Sequence, residues 1–407
     1  MVFVLSYALI AGTRLPGVRL DRPAGALVGA VAMVALGVLT PAEAVHGVNA
    51  DTLLLLFGMM VVGAFLVEAR TLRWVSWLTL TRVASPRRLL VAVTLVSGLL
   101  SAVLVNDTIC VILTPLVLQL ALDAGLPPKP FLLALAFGAN AGSLATPTGN
   151  PQDMLIVTLS HLSYRSYTGA LLLPSMVALA LVALVLVVAF RRELPDRALA
   201  RPRLERPELH PALASLCVLT LAGMVAAFFA GAPLSWTALS GAALLLLLGR
   251  RDPREVFEQV DFVLLVFFAA LFVIVAGVGH AGLAQRMYES LKPLFGHTAR
   301  AQAPLFGVFT VVASQVVSNV PFVLLAAHWL PRFADPRFLW LSTALFSTLA
   351  GNLTLVGSVA NLIVVERAKE RVRFGFFEFL EVGALVTVVS VAGAYGVLWG
   401  EHLIGLA

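Results

Sequence analysis

Asn106, Asp107 and Thr108 interrupt an apolar run, SAVLVNDTICVILT at 101–114. An acid inside a bilayer is rare and usually faces a cavity, a partner or an ion path. Asn106 and Thr108 can offer an amide and a hydroxyl to a solute, while Asp107 can ligate a sodium ion or carry a proton. A plainer role for Asp107 is to cap the helix that follows, although Ser or Thr would cap at lower desolvation cost in hydrocarbon. A second polar pair, Ser318 and Asn319, breaks the run VSNVPFVLLAA in the other half of the chain. The remaining polar groups lie in GSLATPTGNPQDMLIV at 142–157, which includes Thr148, and in NLTLVGSVANLIV at 352–364. These two stretches align so that Thr146 pairs with Thr354, Gly149 with Gly357 and Asn150 with Ser358.

The elements that must hold these groups are membrane helices. Of 407 residues, 60% are hydrophobic and 12% charged, whereas soluble domains carry about 25% charged residues. Apolar runs of bilayer length recur, and the alternation of barrel strands is absent. The fold class is an all-α polytopic membrane protein with about ten spanning helices. Spans are expected at 2–13, 24–40, 52–69, 131–160, 169–190, 211–230, 234–249, 261–279, 338–365 and 375–399. The start, MVFVLSYALIAG, lacks the basic region of a signal peptide and reads as a first span. Connectors at 71–84 and 281–296 mix Trp or Tyr with Arg and suit the membrane interface.

Charge decides the two stretches left over, 89–121 and 301–331. If each is a re-entrant hairpin, 22 of the 28 lysines and arginines fall in loops on one side, which the positive-inside rule makes cytoplasmic. A single crossing at 89–121 would move the six arginines of 191–206 outside. The same bias accounts for the net charge of +6 without a nucleic-acid partner. The run 131–160 would be roughly 45 Å long as one helix, against a hydrocarbon core of about 30 Å. Pro147, Gly149 and Pro151 at its centre predict a break. The alignment makes 338–365 a second broken helix, so residues 1–190 and 211–407 form an inverted repeat joined by a cytoplasmic linker at 191–210. Inverted repeats with paired, interrupted helices mark secondary transporters with sites at the midplane. There, freed helix ends are tolerated because ion, solute or protein satisfies them.

The segments VNDTICVILTP, GANAGSLATPTGNPQ, VSNVP and AGNLTLVGSVANLIV resemble the hairpin tips and broken helices of the ion-transporter superfamily. That group includes divalent-anion:sodium symporters, citrate transporters, ArsB-type arsenite permeases and NhaD-type antiporters. The resemblance covers essentially the whole chain. It implies a homodimer with scaffold and transport domains, working by an elevator-like movement. By position it gives solute binding to Asn106, Thr108, Thr148, Asn150, Ser318, Asn319 and Ser358. Ion coupling falls to Asp107, Thr146, Gly149, Thr354 and Gly357. The tips depart from the symporter pattern, being Asn-Asp-Thr and Ser-Asn-Val-Pro, and the Asn-Asp form is closer to the arsenite-permease and antiporter side.

Other groups have plainer roles. Asp153 is placed to cap the second half-helix, and the Thr and Asn groups of the break can re-satisfy freed backbone. A lone buried Cys110 is usually a small hydrophobe, and with Cys217 it makes no disulfide framework or metal-type spacing. His280 and His328 sit near loop ends, and Glu378 and Glu381 near cytoplasmic arginines suit surface ion pairs. No Lys or Arg lies within either tip or either break, so an anion there would be held by helix ends, amides, hydroxyls and a co-bound cation. There is no phosphate loop and no nucleophile–base or metal constellation, so neither an enzyme nor a resident cofactor is expected, and paired hairpins argue against a passive channel. The reading is a multi-pass protein of the inner (plasma) membrane. It would move an anion or oxyanion, carboxylate or arsenite-like, by alternating access driven by Na⁺ or H⁺. The alternative is a Na⁺/H⁺ antiporter using Asp107.

Overall fold

The structure, a computed structural model, describes residues 21–194 and 206–405. The span expected at 2–13 and residues 195–205 of the linker lie outside the described residues. The first half holds α1 (Arg22–Ala35), α2 (Pro41–His46), α3 (Ala50–Glu68), α4 (Thr71–Leu80), α5 (Pro86–Ser101), α6 (Asn106–Asp123), α7 (Pro128–Ser143), α8 (Pro151–Ser160) and α9 (Tyr164–Ala189). The second holds α10 (Pro211–Phe229), α11 (Leu234–Leu248), α12 (Pro253–Glu258), α13 (Phe262–His280), α14 (Leu283–Leu291), α15 (Ala299–Val317), α16 (Asn319–Ala326), α17 (Pro336–Ala350), α18 (Val359–Ala368) and α19 (Phe376–Leu403). Among the described residues α3, α6, α9, α10, α13 and α19 are long and apolar enough to cross a membrane.

Both breaks are present as 3₁₀ turns, Pro147–Gly149 between α7 and α8 and Leu355–Gly357 between α17 and α18. The first needs no further cause than its two prolines. At the second, extended backbone at Thr354 and Ser358 flanks the turn without any proline. Both hairpins turn where the polar sets lie, but their lengths differ from expectation. The first runs from α5 to α6, with arms of roughly 24 and 27 Å at 1.5 Å per residue. The second turns on one residue, Ser318, whose backbone sits at φ 72, ψ 157, a region that residues with a Cβ occupy only under strain.

Close packing explains how the hairpins are held. On α5, Gly98 meets Gly142 of α7, where an added Cβ on Gly142 would lie 2.1 Å from the Gly98 carbonyl oxygen. In the other half, Gly307 of α15 accommodates the ring of Phe346 on α17. The second hairpin is further clamped by aromatic rings, Phe306 lying 5.2 Å from Phe295 and 5.1 Å from Phe333. The hairpins, the broken helices, α9 and α19 pack as one group, with α6 against both α7 and α18. A second group packs α1 on α13 and α3 on α11, and the two groups meet where α3 touches α8 and α13 touches α16.

Candidate functional site

Two polar braces cross between the halves. Asn140 on α7 donates to Asn352 Oδ1 at 2.9 Å and to Asn361 Oδ1 at 3.1 Å. Its own Oδ1 accepts from Asn106 at 3.0 Å and from Ser358 at 3.0 Å. Asn361 on α18 in turn donates to the carbonyls of Gly351 and Thr354 at the second break. In the second brace, Thr348 on α17 donates to the carboxylate of Asp153 on α8 at 3.2 Å. Gln152 donates to Thr348 at 2.9 Å. Under the alignment that pairs Thr146 with Thr354, Asn140 corresponds to Thr348 and Asn361 to Asp153. The two braces are therefore the same contact made twice, once from each half.

The breaks are tied to the hairpins in the same paired way. Thr146 donates to the carbonyl of Ala102 at the first turn, at 2.5 Å, and Thr354 donates to Gln315 of α15 at 2.7 Å. Gly149 and Gly357 face the carbonyls of Ser143 and Gly351, leaving no room for a Cβ at Gly149, whose nearest contact would be 2.1 Å.

These contacts enclose a cavity of about 230 Å³. Asn106, Asp107, Asn150, Ser318, Asn319 and Ser358 line it, with Gly357 beside them. Three helices begin at it without a hydrogen bond from the side chain at their capping position, namely α6, α16 and α18, so their positive dipole ends lie at the cavity. At α6, however, the Asp107 N–H already donates to Asn106 Oδ1 at 3.0 Å. The helix-cap role for Asp107 is not what the fold uses: the capping position is Val105, and Asp107 stands in the first turn. Asn319 Oδ1 is buried with no hydrogen-bond partner among the described residues. A wider cavity of about 800 Å³ adjoins the first and reaches the arginine-bearing loops through Arg70, Arg73 and Arg367. Asp107 and Asp261 line both.

Not every residue singled out by sequence lines the inner cavity. Thr108 lines only the wider one and faces Gly63 of α3. Thr146, Thr148, Gly149 and Thr354 line neither, and Thr146 and Thr354 spend their hydroxyls on holding the breaks. Asn150, and not Asp153, caps α8, by accepting from the Asp153 N–H at 2.8 Å. Cys110 is wholly buried. Glu378 pairs with Lys129 at 2.6 Å, the surface ion pair expected of it.

Several groups escaped the sequence reading. Asn140 and Asn361 are amides in apolar helices and carry that signal themselves. Arg22 and Asp261 carry none, since each stands at the end of an ordinary span. The packing of α1 on α13 brings both to the inner cavity, so the site does have a fixed cationic side chain on its wall. Among the described residues Arg22 has no ion-pair partner.

The citrate transporter profile, CitMHS, matches residues 7–337. The chain belongs to the citrate transporter family. This family lies within the ion-transporter superfamily, so the protein is a multi-pass membrane transporter and not an enzyme. Its relatives within the superfamily include a silicon efflux transporter of Oryza sativa subsp. japonica, 32% identical over 92% of this chain and 90% of its own. A Dictyostelium discoideum protein bearing the transporter name arsB is 26% identical over 96% of this chain and 89% of its own. The fold matches the solved YdaH transporter of Alcanivorax borkumensis, a structure of unusual topology, with a TM-score of 0.58. That match has 16% identity and covers 99% of this chain and 97% of that one.

Proposed function

We propose that this member of the citrate transporter family is a secondary active transporter of an anion or oxyanion, coupled to Na⁺ or H⁺. The observation that carries the reading is the inner cavity, where both hairpin tips and both breaks meet Arg22. Uncapped helix starts bind anions through their N–H groups and dipoles, and Arg22 adds a full positive charge. Asp107 supplies the opposite charge that a coupling cation needs. The names of the rice and Dictyostelium relatives point to weak oxyacids of silicon or arsenic. Such solutes present hydroxyls and oxygens that the asparagines and serines of the cavity can match.

The proposed topology keeps both hairpins re-entrant and the two halves inverted. Side-chain contacts at the helix ends support it, because each joins loops assigned to one side. Lys129 with Glu378 and Arg87 with the Arg191 carbonyl lie on the cytoplasmic side. Ser235 with Asp51, Arg337 with Ser166 and Asp335 with His402 lie on the other. The wider cavity, walled by cytoplasm-assigned arginines, is then the access path of an inward-facing state. A membrane of the cell surface and a homodimer complete the proposal.

The test is a ligand screen by thermal stabilisation of the purified protein, with and without Na⁺, since a solute that binds only the folded state raises its apparent stability. A carboxylate or oxyanion should stabilise more with Na⁺ or at lower pH. Stabilisation by Na⁺ and protons alone, with no anion effect, would instead favour the antiporter that exchanges ions at Asp107.

A further inference from the structure

Asp261 is a second acid at the junction of the two cavities, and the transport reading above gives it no role. It caps α13, Oδ1 accepting from the Leu264 N–H at 2.9 Å. Its other oxygen makes no hydrogen bond among the described residues. Asp107 likewise keeps its carboxylate free of hydrogen bonds there, and both residues line both cavities. They come from different packing groups, Asp107 from the hairpin that lies on α7 and α18, Asp261 from the helix that lies on α1. A third oxygen independently points to a ligand in the same cavity: Asn319 Oδ1, buried and unpartnered. Two carboxylates and an amide oxygen are the donor set of a hard cation. Of the other charged groups on these walls, Arg22 lies beyond ion-pair distance of both carboxylates, while Arg70, Arg73, Arg367 and Glu258 line the wider cavity.

We propose that Asp107 and Asp261 together hold one monovalent cation, Na⁺ or a proton, with Asp261 the ligand supplied from the α1–α13 side. The inference rests on the transport reading for its meaning: a cation bound across two packing groups is held only in arrangements that bring those groups together. Coupling then follows, because moving the hairpin away from α13 removes one of the cation's two charged ligands.

Asp261→Ser separates this role from capping, since Ser caps a helix about as well as Asp but carries no charge. The readout is thermal stabilisation of the purified full chain by NaCl against choline chloride at equal ionic strength, and separately by a pH series. The Na⁺ arm and the pH arm tell the two cations apart. Wild type is expected to respond in one arm. In Asp261→Ser, as in Asp107→Asn, the half-effective cation concentration should rise at least about tenfold, the loss of roughly 1.4 kcal/mol of binding. A wild type that responds in neither arm, or an Asp261→Ser protein that responds as wild type does, overturns the inference. The transport reading fails separately: a cation-responsive wild type that moves no solute under any imposed gradient would sink that reading and leave the cation site standing.

Discussion

Replacing Asn140 by Leu tests whether the asparagine brace holds the two halves together. The amide uses its full capacity, two donors and two acceptor positions, on four partners from both halves. Leucine keeps the number and branching of the side-chain heavy atoms and removes all four bonds. Asn106 and Ser358 line the cavity and can recover partners from water. Asn352 and Asn361 are wholly buried and leave their Oδ1 atoms stranded. At about 1–3 kcal/mol for each stranded group, the loss is about 4 kcal/mol. For a chain of this size at most about 2 °C accompanies each kcal/mol, so the melting temperature in detergent should fall by roughly 5–8 °C, read by tryptophan fluorescence. Asn140→Asp keeps the shape but aims a carboxylate at two amide oxygens, and should cost at least as much. An Asn140→Leu protein melting within about 1 °C of wild type would refute the reasoning.

Four further substitutions have expected outcomes. Gly142→Ala should cost about 2 kcal/mol because α5 and α7 must part, whereas Gly223→Ala, with open space around it, should stabilise α10 by about 0.5–1 kcal/mol; chemical or thermal unfolding ranks the pair. Ser318→Gly should gain about 1 kcal/mol by relieving the strained tip, yet lower transport by removing a hydroxyl from the cavity wall, so melting temperature and flux should move in opposite directions. Arg22→Gln should raise the anion concentration for half-maximal flux at least about tenfold, with cation stabilisation intact; an unchanged value would remove Arg22 from the site.

How much of this was legible in the sequence depends on where each signal lies. Pro147 and Pro151 announce the first break by themselves, while the second, without proline, is visible only through its alignment with the first. Asp107 and Asn319 stand out because polar groups in apolar runs are costly. The connectors at 71–84 and 281–296 fold as helices, α4 and α14. The first hairpin came out a few residues longer than expected because Pro86 and Asp123, at the ends of α5 and α6, extend the helices past the apolar run by which hydropathy measures them. The helices of the second end instead at Ala326, short of the expected 331. Arg22 and Asp261 were illegible for a different reason. Their role depends on the parallel packing of α1 on α13, a tertiary fact with no local pattern. Thr146 and Thr354 were legible as a pair, yet only the packing shows that their hydroxyls tie the breaks to the hairpins, Thr146 through the Ala102 carbonyl and Thr354 through the Gln315 side chain.

The central claim is coupled transport through the inner cavity, and flux across a sealed membrane tests it most directly. Proteoliposomes carrying the wild-type chain should accumulate a labelled carboxylate or oxyanion when an inward Na⁺ or proton gradient is imposed, and accumulation should stop when the gradient is collapsed. Asp107→Asn should abolish the uphill accumulation. Uptake that proceeds equally without any cation gradient, or that survives unchanged in Asp107→Asn, would contradict the account.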